Sequence, residues 1–507
     1  MEQEQRLGMG MDMEKKNKGK KLFVFNSFTG LVQLIISAVL IIVCLPVFLK
    51  ILGKDLYGVF SIVSVIGNLA IYANLSLDAA LIKFISEQGK CKESDNDIVV
   101  MFLLMLSFLL PLSVLIFLFN DFILLSILSV PTEYLSEGKA LLFWLILANL
   151  LLLLGKVFTS IVEAKQKIYL TNFASFIYSL IYWGGSAFVL LAGKGLKGVG
   201  VTIFVAAVIW FFLVMFAACK NWGRLDLGGL RFQFKASAKK QLKYSTKIYT
   251  GSLLSFLYEP LTRILISNFI GIADVGFYDI ALRIKSQVLT LFYRLLQPLY
   301  PTIAIMKDIA KIRTLAEKLT NGLLFVVIPV VVLLIFCTEP IITLWLKEGN
   351  ISLISQTTII LIVVNLLFSI PFTPVYCFLR AKNHPEKEVY IQSVNSIVNA
   401  SVLLIFYTVL GYYSVLLGNG LSIVCSGIMC MYFQYKYLGV LPLDTFKVKL
   451  KYILCFCVVF GAAALYSYYG YSISLQYIIL QMILVGGVSL LAFYLFKVFD
   501  KKDLSLK

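Results

Sequence analysis

Apolar runs of roughly twenty residues follow one another from residue 22 to residue 496, separated by short polar segments. About twenty apolar residues is the length a helix needs to cross a bilayer. The pattern predicts fourteen spans, at 24–50, 56–82, 98–119, 139–161, 169–191, 199–219, 247–270, 276–303, 321–337, 355–379, 389–410, 414–435, 452–470 and 475–496. Hydrocarbon offers the backbone no hydrogen-bond partners, and the runs lack the two-residue alternation of barrel strands, so each span is predicted to be a helix. The fold class that follows is all-α and polytopic.

Composition sharpens this. The chain is 60% hydrophobic and 14% charged, against about 45–50% and about 25% in soluble domains. A soluble enzyme, a fibrous protein and a disordered chain are thereby excluded. The net charge of +18 would suit a nucleic-acid binder, but its placement says otherwise. With the N-terminal tail in the cytoplasm, 34 of the 45 lysines and arginines fall in inner segments, 6 in outer ones and 5 within spans. That is the positive-inside pattern of a cell-membrane protein with both termini cytoplasmic, and no nucleic-acid partner is expected. The polar, lysine-rich first twenty or so residues read as a tail and not as a signal peptide. Nine cysteines form no C-x-x-C pair and His384 is the single histidine. Neither a zinc site nor histidine-based catalysis is expected.

An internal repeat organises the spans. A shift of 218 residues pairs Gly53 with Gly271, Gly58 with Gly276, Pro111 with Pro329, Gly193 with Gly411 and Gly200 with Gly418. Six spans separate corresponding positions, an even number, so the two halves are predicted to be parallel, related by an axis along the membrane normal. The expected plan is a cytoplasmic tail (1–21), a first six-helix lobe (22–219), a linker (220–246), a second six-helix lobe (247–438), then a helix pair and cytoplasmic tail (439–507). The linker sets seven basic residues, Lys220 to Lys243, between Leu230, Phe232, Phe234 and Leu242. It reads as an amphipathic segment lying on the anionic inner leaflet. Two parallel lobes suit alternating access.

Charge within a span costs several kcal/mol unless it meets water or a partner, so such residues are the candidate site. On span 8, Asp279, Arg283, Gln287, Thr290, Arg294 and Gln297 fall within an arc of about 80°, with Ile280, Leu282, Ile284, Leu291 and Leu295 opposite. The stripe predicts the wall of a wet cavity. Lys285 lies off it and pairs elsewhere. Span 7 adds Glu259 and Arg263, four apart in the favourable acid-first order, as are Asp279 and Arg283. These pairs read either as neutralising ion pairs within each helix or as cavity residues. In the second case Glu259 and Asp279 are the candidates for a coupling ion, H+ or Na+, with no other cofactor. Span 2 places Tyr57, Ser61, Ser64, Asn68 and Tyr72 on one face. Hydroxyl, amide and aromatic groups there suit either sugar binding, through Asn68 and Tyr72, or helix packing. Asp78 and Lys83 are expected to pair at the inner end of that span.

Particular segments carry a family resemblance. They are Asn26 ahead of a first span ending in PVFLKILGKDLYG (46–58), ILISNFIGIADVGFY (264–278) at the junction of spans 7 and 8, and the QPLYP turn (297–301). Over essentially the whole chain beyond the tail, the sequence resembles the polysaccharide (O-antigen type) flippases of the multidrug/oligosaccharidyl-lipid/polysaccharide exporter superfamily. The resemblance implies transfer of an undecaprenyl-pyrophosphate-linked oligosaccharide from the inner to the outer leaflet. It implies a cationic site for the pyrophosphate, with Arg283 and Arg294 first and Arg263 and Lys285 behind them. It also implies membrane lipids as surroundings and a polysaccharide polymerase and glycosyltransferases as partners. Some family members have a charged first helix; this one carries no charge between Lys21 and Lys50, which argues against an ion site in the first lobe.

Other readings fit less well. A multidrug or cation antiporter of the same superfamily would gather carboxylates, whereas spans 7 and 8 hold four basic residues against Glu259 and Asp279. A major-facilitator transporter would carry a basic G-x-x-x-D-R signature after span 2, where residues 83–97 read KFISEQGKCKESDND. An embedded glycosyltransferase or polymerase would need a convergent carboxylate site, and the short external loops offer none. The protein is therefore not expected to be an enzyme.

Overall fold

The computed structural model describes residues 2–72, 77–226, 230–296, 303, 308–347, 349–381, 385–439 and 442–496, together with most of their side chains. All regular structure among these residues is helical. The main helices are α1 (Glu2–Tyr72), α2 (Leu77–Gln88), α3 (Lys92–Leu118), α4 (Leu135–Ala164), α5 (Ile168–Leu191) and α6 (Gly195–Trp222). They continue as α7 (Leu230–Phe269), α8 (Ile272–Leu296), α9 (Ile309–Leu346), α10 (Ile351–Phe368) and α11 (Thr373–Ala381). The last four are α12 (Pro385–Leu410), α13 (Tyr413–Leu438), α14 (Pro442–Gly470) and α15 (Leu475–Leu495).

Among the described residues, eleven helices are long and apolar enough to cross a membrane. Ten of them each coincide with one expected span, and the other, Phe25–Ile66, covers span 1 and the first part of span 2. Spans 1 and 2 are the two helices that meet within α1 at Gly53, whose backbone (φ 69°, ψ 179°) is not helical. Spans 7 and 8 exist as α7 and α8 but are not among the eleven, and these are the helices that carry Glu259, Arg263, Asp279, Arg283 and Lys285.

The backbone repeats in the register of the paired glycines. Gly53 marks the kink in α1 and Gly271 the break between α7 and α8. Gly193 (φ 73°) and Gly411 (φ 52°) make the left-handed turns before α6 and α13, a conformation open to glycine at little cost. Pro111 and Pro329 both lie inside long helices.

The chain divides into two compact units, Met1–Thr250 and Gly251–Lys507. In the first, Leu81, Met101, Met105, Leu153 and Val157 pack α2, α3 and α4 around one core. In the second, Leu289, Val327, Val331, Ile362 and Leu366 join α8, α9 and α10. Val332, Cys455, Val459, Val485 and Phe493 dock the C-terminal pair on α9. Large apolar side chains such as Phe188 (72% exposed), Val409 (80%) and Leu490 (65%) point outward. Apolar surface on this scale is what a bilayer covers.

The linker does not stand as an element of its own. α6 stops at Gly223 (φ 81°), and the second part of the linker is the start of the 40-residue helix α7. Its inner face is fastened to the start of α3. Asp97 accepts hydrogen bonds from Ser237 and from Lys240 Nζ (2.8 Å), while its carbonyl accepts Gln241 Nε2 (2.8 Å). Asp95 accepts Lys90 Nζ (2.6 Å), Trp222 Nε1 (2.6 Å) and the Asp226 amide (2.8 Å). One of the linker's basic residues, Lys240, is thus spent on a buried carboxylate of its own unit.

Candidate substrate-binding cluster

α7 and α8 meet through their charges. Asp279, fully buried, lies between two guanidinium groups: Arg263 Nη2 at 2.6 Å from across the helix pair and Arg283 Nε at 2.7 Å from one turn along α8. Glu259 instead receives Lys285 Nζ at 2.8 Å. The Asp279–Arg283 pair therefore forms within its helix as the spacing suggested, whereas Glu259 and Arg263 do not pair with each other. Each reaches across to α8, because an interhelical partner lies closer than the next turn of the same helix. Lys285, off the stripe, is drawn into the cluster by Glu259. Three cations against two carboxylates leave the group one positive charge in excess.

The stripe on α8 is not open along its length. Val275 to Leu282 are buried on every side, so Asp279 is a packed residue and exposure begins at Arg283, whose side chain is 20% accessible. Gln287 and Thr290 follow, both half-buried, and Thr290 spends its hydroxyl on the Ser286 carbonyl (2.6 Å). Opposite them, Ile280 and Leu282 are buried and Leu291 is exposed. The side chain of Arg294, Gln297, and the side chains of Asn68 and Tyr72 lie outside the described residues. On the same face of α1, Tyr57, Ser61 and Ser64 are buried, and Ser64 bonds back to the Phe60 carbonyl; these three serve packing. Lys83 does not turn to Asp78. It approaches Glu87 (4.0 Å) and sits over the Tyr244 ring.

Behind the charges lies a neutral polar layer absent from the sequence reading. Tyr258 OH (2.5 Å) and Tyr278 OH (3.3 Å) both donate to Asn419 Oδ1. Asn419 Nδ2 is satisfied by its own helix at the Val415 carbonyl (2.8 Å). Asn399 Nδ2 donates to Thr262 (2.6 Å), one residue before Arg263. Gly418 lets this layer close: a Cβ there would stand 2.9 Å from the Asn399 carbonyl oxygen. The paired Gly200 was visible in the repeat, but not that its counterpart seats an asparagine. Buried polar layers of this kind fix a single packing of their helices when fully paired. Here Asn399 Oδ1 has no hydrogen-bond partner among the described residues, and the remaining bonds tie α12 and α13 to the first half of α8 and the last third of α7, beside the cluster.

Chemically, the arrangement offers cationic donors, held by carboxylates, on a membrane-embedded scaffold. Guanidinium and ammonium groups suit phosphate oxygens.

The chain matches the family model described as polysaccharide biosynthesis protein over residues 24–307. No curated protein matches it significantly. Among solved structures it is similar to the lipid II flippase MurJ in an inward closed conformation, with a TM-score of 0.66 and 17% identity over 93% of this chain and 98% of that one. An inward-facing multidrug resistance MATE family transporter of the MOP superfamily gives 0.56 and 14% identity over 80% and 94%. The Vibrio cholerae MATE transporter VcmN in its bent form gives 0.54 and 17% over 83% and 97%. At such identities the likeness speaks for the fold. The chain belongs to the polysaccharide biosynthesis protein family and is a multi-pass membrane protein with the fold of the MOP superfamily transporters.

Proposed function

We propose that the protein flips a polyprenyl-pyrophosphate-linked oligosaccharide from the inner to the outer leaflet by alternating access, in surface polysaccharide biosynthesis. The observation that carries this reading is the cationic excess of the α7–α8 cluster, in a chain of a polysaccharide biosynthesis family. A pyrophosphate head that leaves water needs charge-assisted hydrogen bonds. Arg283 is the first contact, with Arg263 and Lys285 beside it and Arg294, Gln287, Thr290 and Gln297 further along α8; Asn68 and Tyr72 are the first-lobe candidates for sugar. The prenyl tail stays in lipid. Glu259 is the better placed of the two coupling candidates, for H+ or Na+, because Asp279 is sealed by two arginines and Glu259 is half exposed. This reading includes fourteen spans in two parallel six-helix lobes plus a C-terminal pair, both termini cytoplasmic, and a polymerase and glycosyltransferases as partners.

Deletion followed by analysis of lipid-linked glycans tests it: they should accumulate on the cytoplasmic face. Arg283→Ala should abolish surface glycan at unchanged protein abundance. Surface glycan retained in that variant would remove Arg283 from the site, and a deletion strain with no trapped lipid-linked glycan would refute the function. A drug or cation antiporter is disfavoured because cations outnumber carboxylates in the cluster.

A further inference from the structure

The two carboxylates of the cluster are held very differently. Asp279 has a side chain 1% accessible and binds two arginines. Glu259 has a side chain 46% accessible and binds one lysine, whose own side chain is 13% accessible. Breaking a buried ion pair strands a charge and costs about 3–5 kcal/mol; Glu259, nearly half accessible, strands only the lysine when it leaves, and an incoming anion restores that partner. Glu259 can therefore be exchanged for another anion, and Asp279 cannot leave its arginines.

From this contrast we propose that Glu259 is a displaceable counter-ion, and that a phosphate group of the substrate takes its place on Lys285. Asp279 meanwhile keeps Arg263 and Arg283 fixed as the permanent part of the site. This rests on the flippase reading above and assigns Lys285, not an arginine, as the cation that changes partner on loading. The chemistry is apt. A pyrophosphate esterified at both ends carries one negative charge and two non-bridging acceptor oxygens on each phosphorus, so the head brings two charges against the carboxylate's one. The ammonium has three rotatable donors on a flexible stem and can follow a new acceptor, as a guanidinium locked in a fork cannot. In the empty site Glu259 neutralises Lys285 at mid-helix, where a bare ammonium would be costly. It also competes with every arriving anion, which lets a diphosphate bind while weaker anions are refused.

The test measures binding of geranylgeranyl diphosphate to the purified full-length protein in detergent, by ligand-induced thermal shift and titration. Inorganic pyrophosphate is run in parallel. Glu259→Gln, which removes the competitor and keeps the shape, should tighten binding by about fivefold, about 1 kcal/mol. Lys285→Ala should weaken it by about tenfold or more, and Glu259→Gln should have no further effect in the Lys285→Ala background. Tightening seen with both probes places recognition on the diphosphate; tightening with the prenyl compound alone adds the chain to it. The unliganded melting temperatures identify any variant that has lost its fold, and Glu259→Asp, shorter by one methylene, then supplies the comparison with an intermediate affinity. Unchanged or weaker binding in Glu259→Gln, or additive effects in the double variant, overturns the counter-ion role while leaving the flippase reading intact. No binding of the prenyl diphosphate by the wild-type protein overturns both.

Discussion

Buried carboxylates occur in both units, but at different depths and with different partners. In the first unit Asp95 and Asp97 stand at the start of α3, at a helix end, and clamp Trp222, Ser237, Lys240 and Gln241. In the second, Asp279 lies well inside α8, with Arg263 and Arg283 around it. An acidic group at a helix N-terminus is favoured by the helix dipole and lies near water. One in mid-helix has neither advantage and must be neutralised on the spot. The contrast separates charges that hold a membrane bundle together from charges that, in the function proposed above, hold cations for a ligand, although both are equally buried.

The contrast can be broken experimentally, beginning with the largest effect. Asp279→Asn leaves two arginines facing one amide. It should lower the stability of the purified protein by about 3–5 kcal/mol and abolish surface glycan, read by thermal melting in detergent and by glycan staining. Asp97→Ala removes a carboxylate that accepts from Lys240 and Ser237. A loss of about 1.5–3 kcal/mol is expected, with diphosphate affinity unchanged in the protein that remains folded. Weakened affinity there would show that the helix-end charges also serve the ligand. Gly53→Ala forces a side chain into the left-handed region at the kink of α1 (φ 69°), although nothing stands within 4 Å of a Cβ there. The cost should be about 1–3 kcal/mol of backbone strain alone, and the same change at Gly411 (φ 52°) should cost a similar amount. The smallest effect belongs to Lys83→Ala. It loses an exposed contact with Glu87 and a ring contact with Tyr244, and melting should fall by about 1 kcal/mol or less.

Much of the scaffold was legible because its causes are local. Apolar length specifies a membrane helix residue by residue, and a turn that needs positive φ selects glycine, so Gly193 and Gly411 could be paired before any coordinates. Gly53 was legible in the same way: its non-helical backbone separates two helices within α1, as its counterpart Gly271 separates α7 from α8. The candidate site was legible in its membership and not in its wiring. Glu259, Arg263, Asp279, Arg283 and Lys285 stand out because hydrocarbon penalises charge wherever it occurs. The neutral layer of Tyr258, Tyr278, Asn399 and Asn419 did not, since single amides and phenols are common in membrane helices and carry no spacing rule.

What the sequence determined by itself was therefore the class of the molecule, its helices, its repeated register and the residues too polar for lipid. Only the tertiary structure decided who pairs with whom. Spacing of four within α7 pointed Glu259 at Arg263, yet α8 lies close enough to give each a partner on the neighbouring helix, 26 residues away in the case of Glu259 and Lys285. Likewise Lys240 of the linker pointed to lipid until α3 brought Asp97 beneath it. Coulomb attraction and hydrogen bonding depend on distance in space, and along a chain folded into a bundle that distance is set by packing.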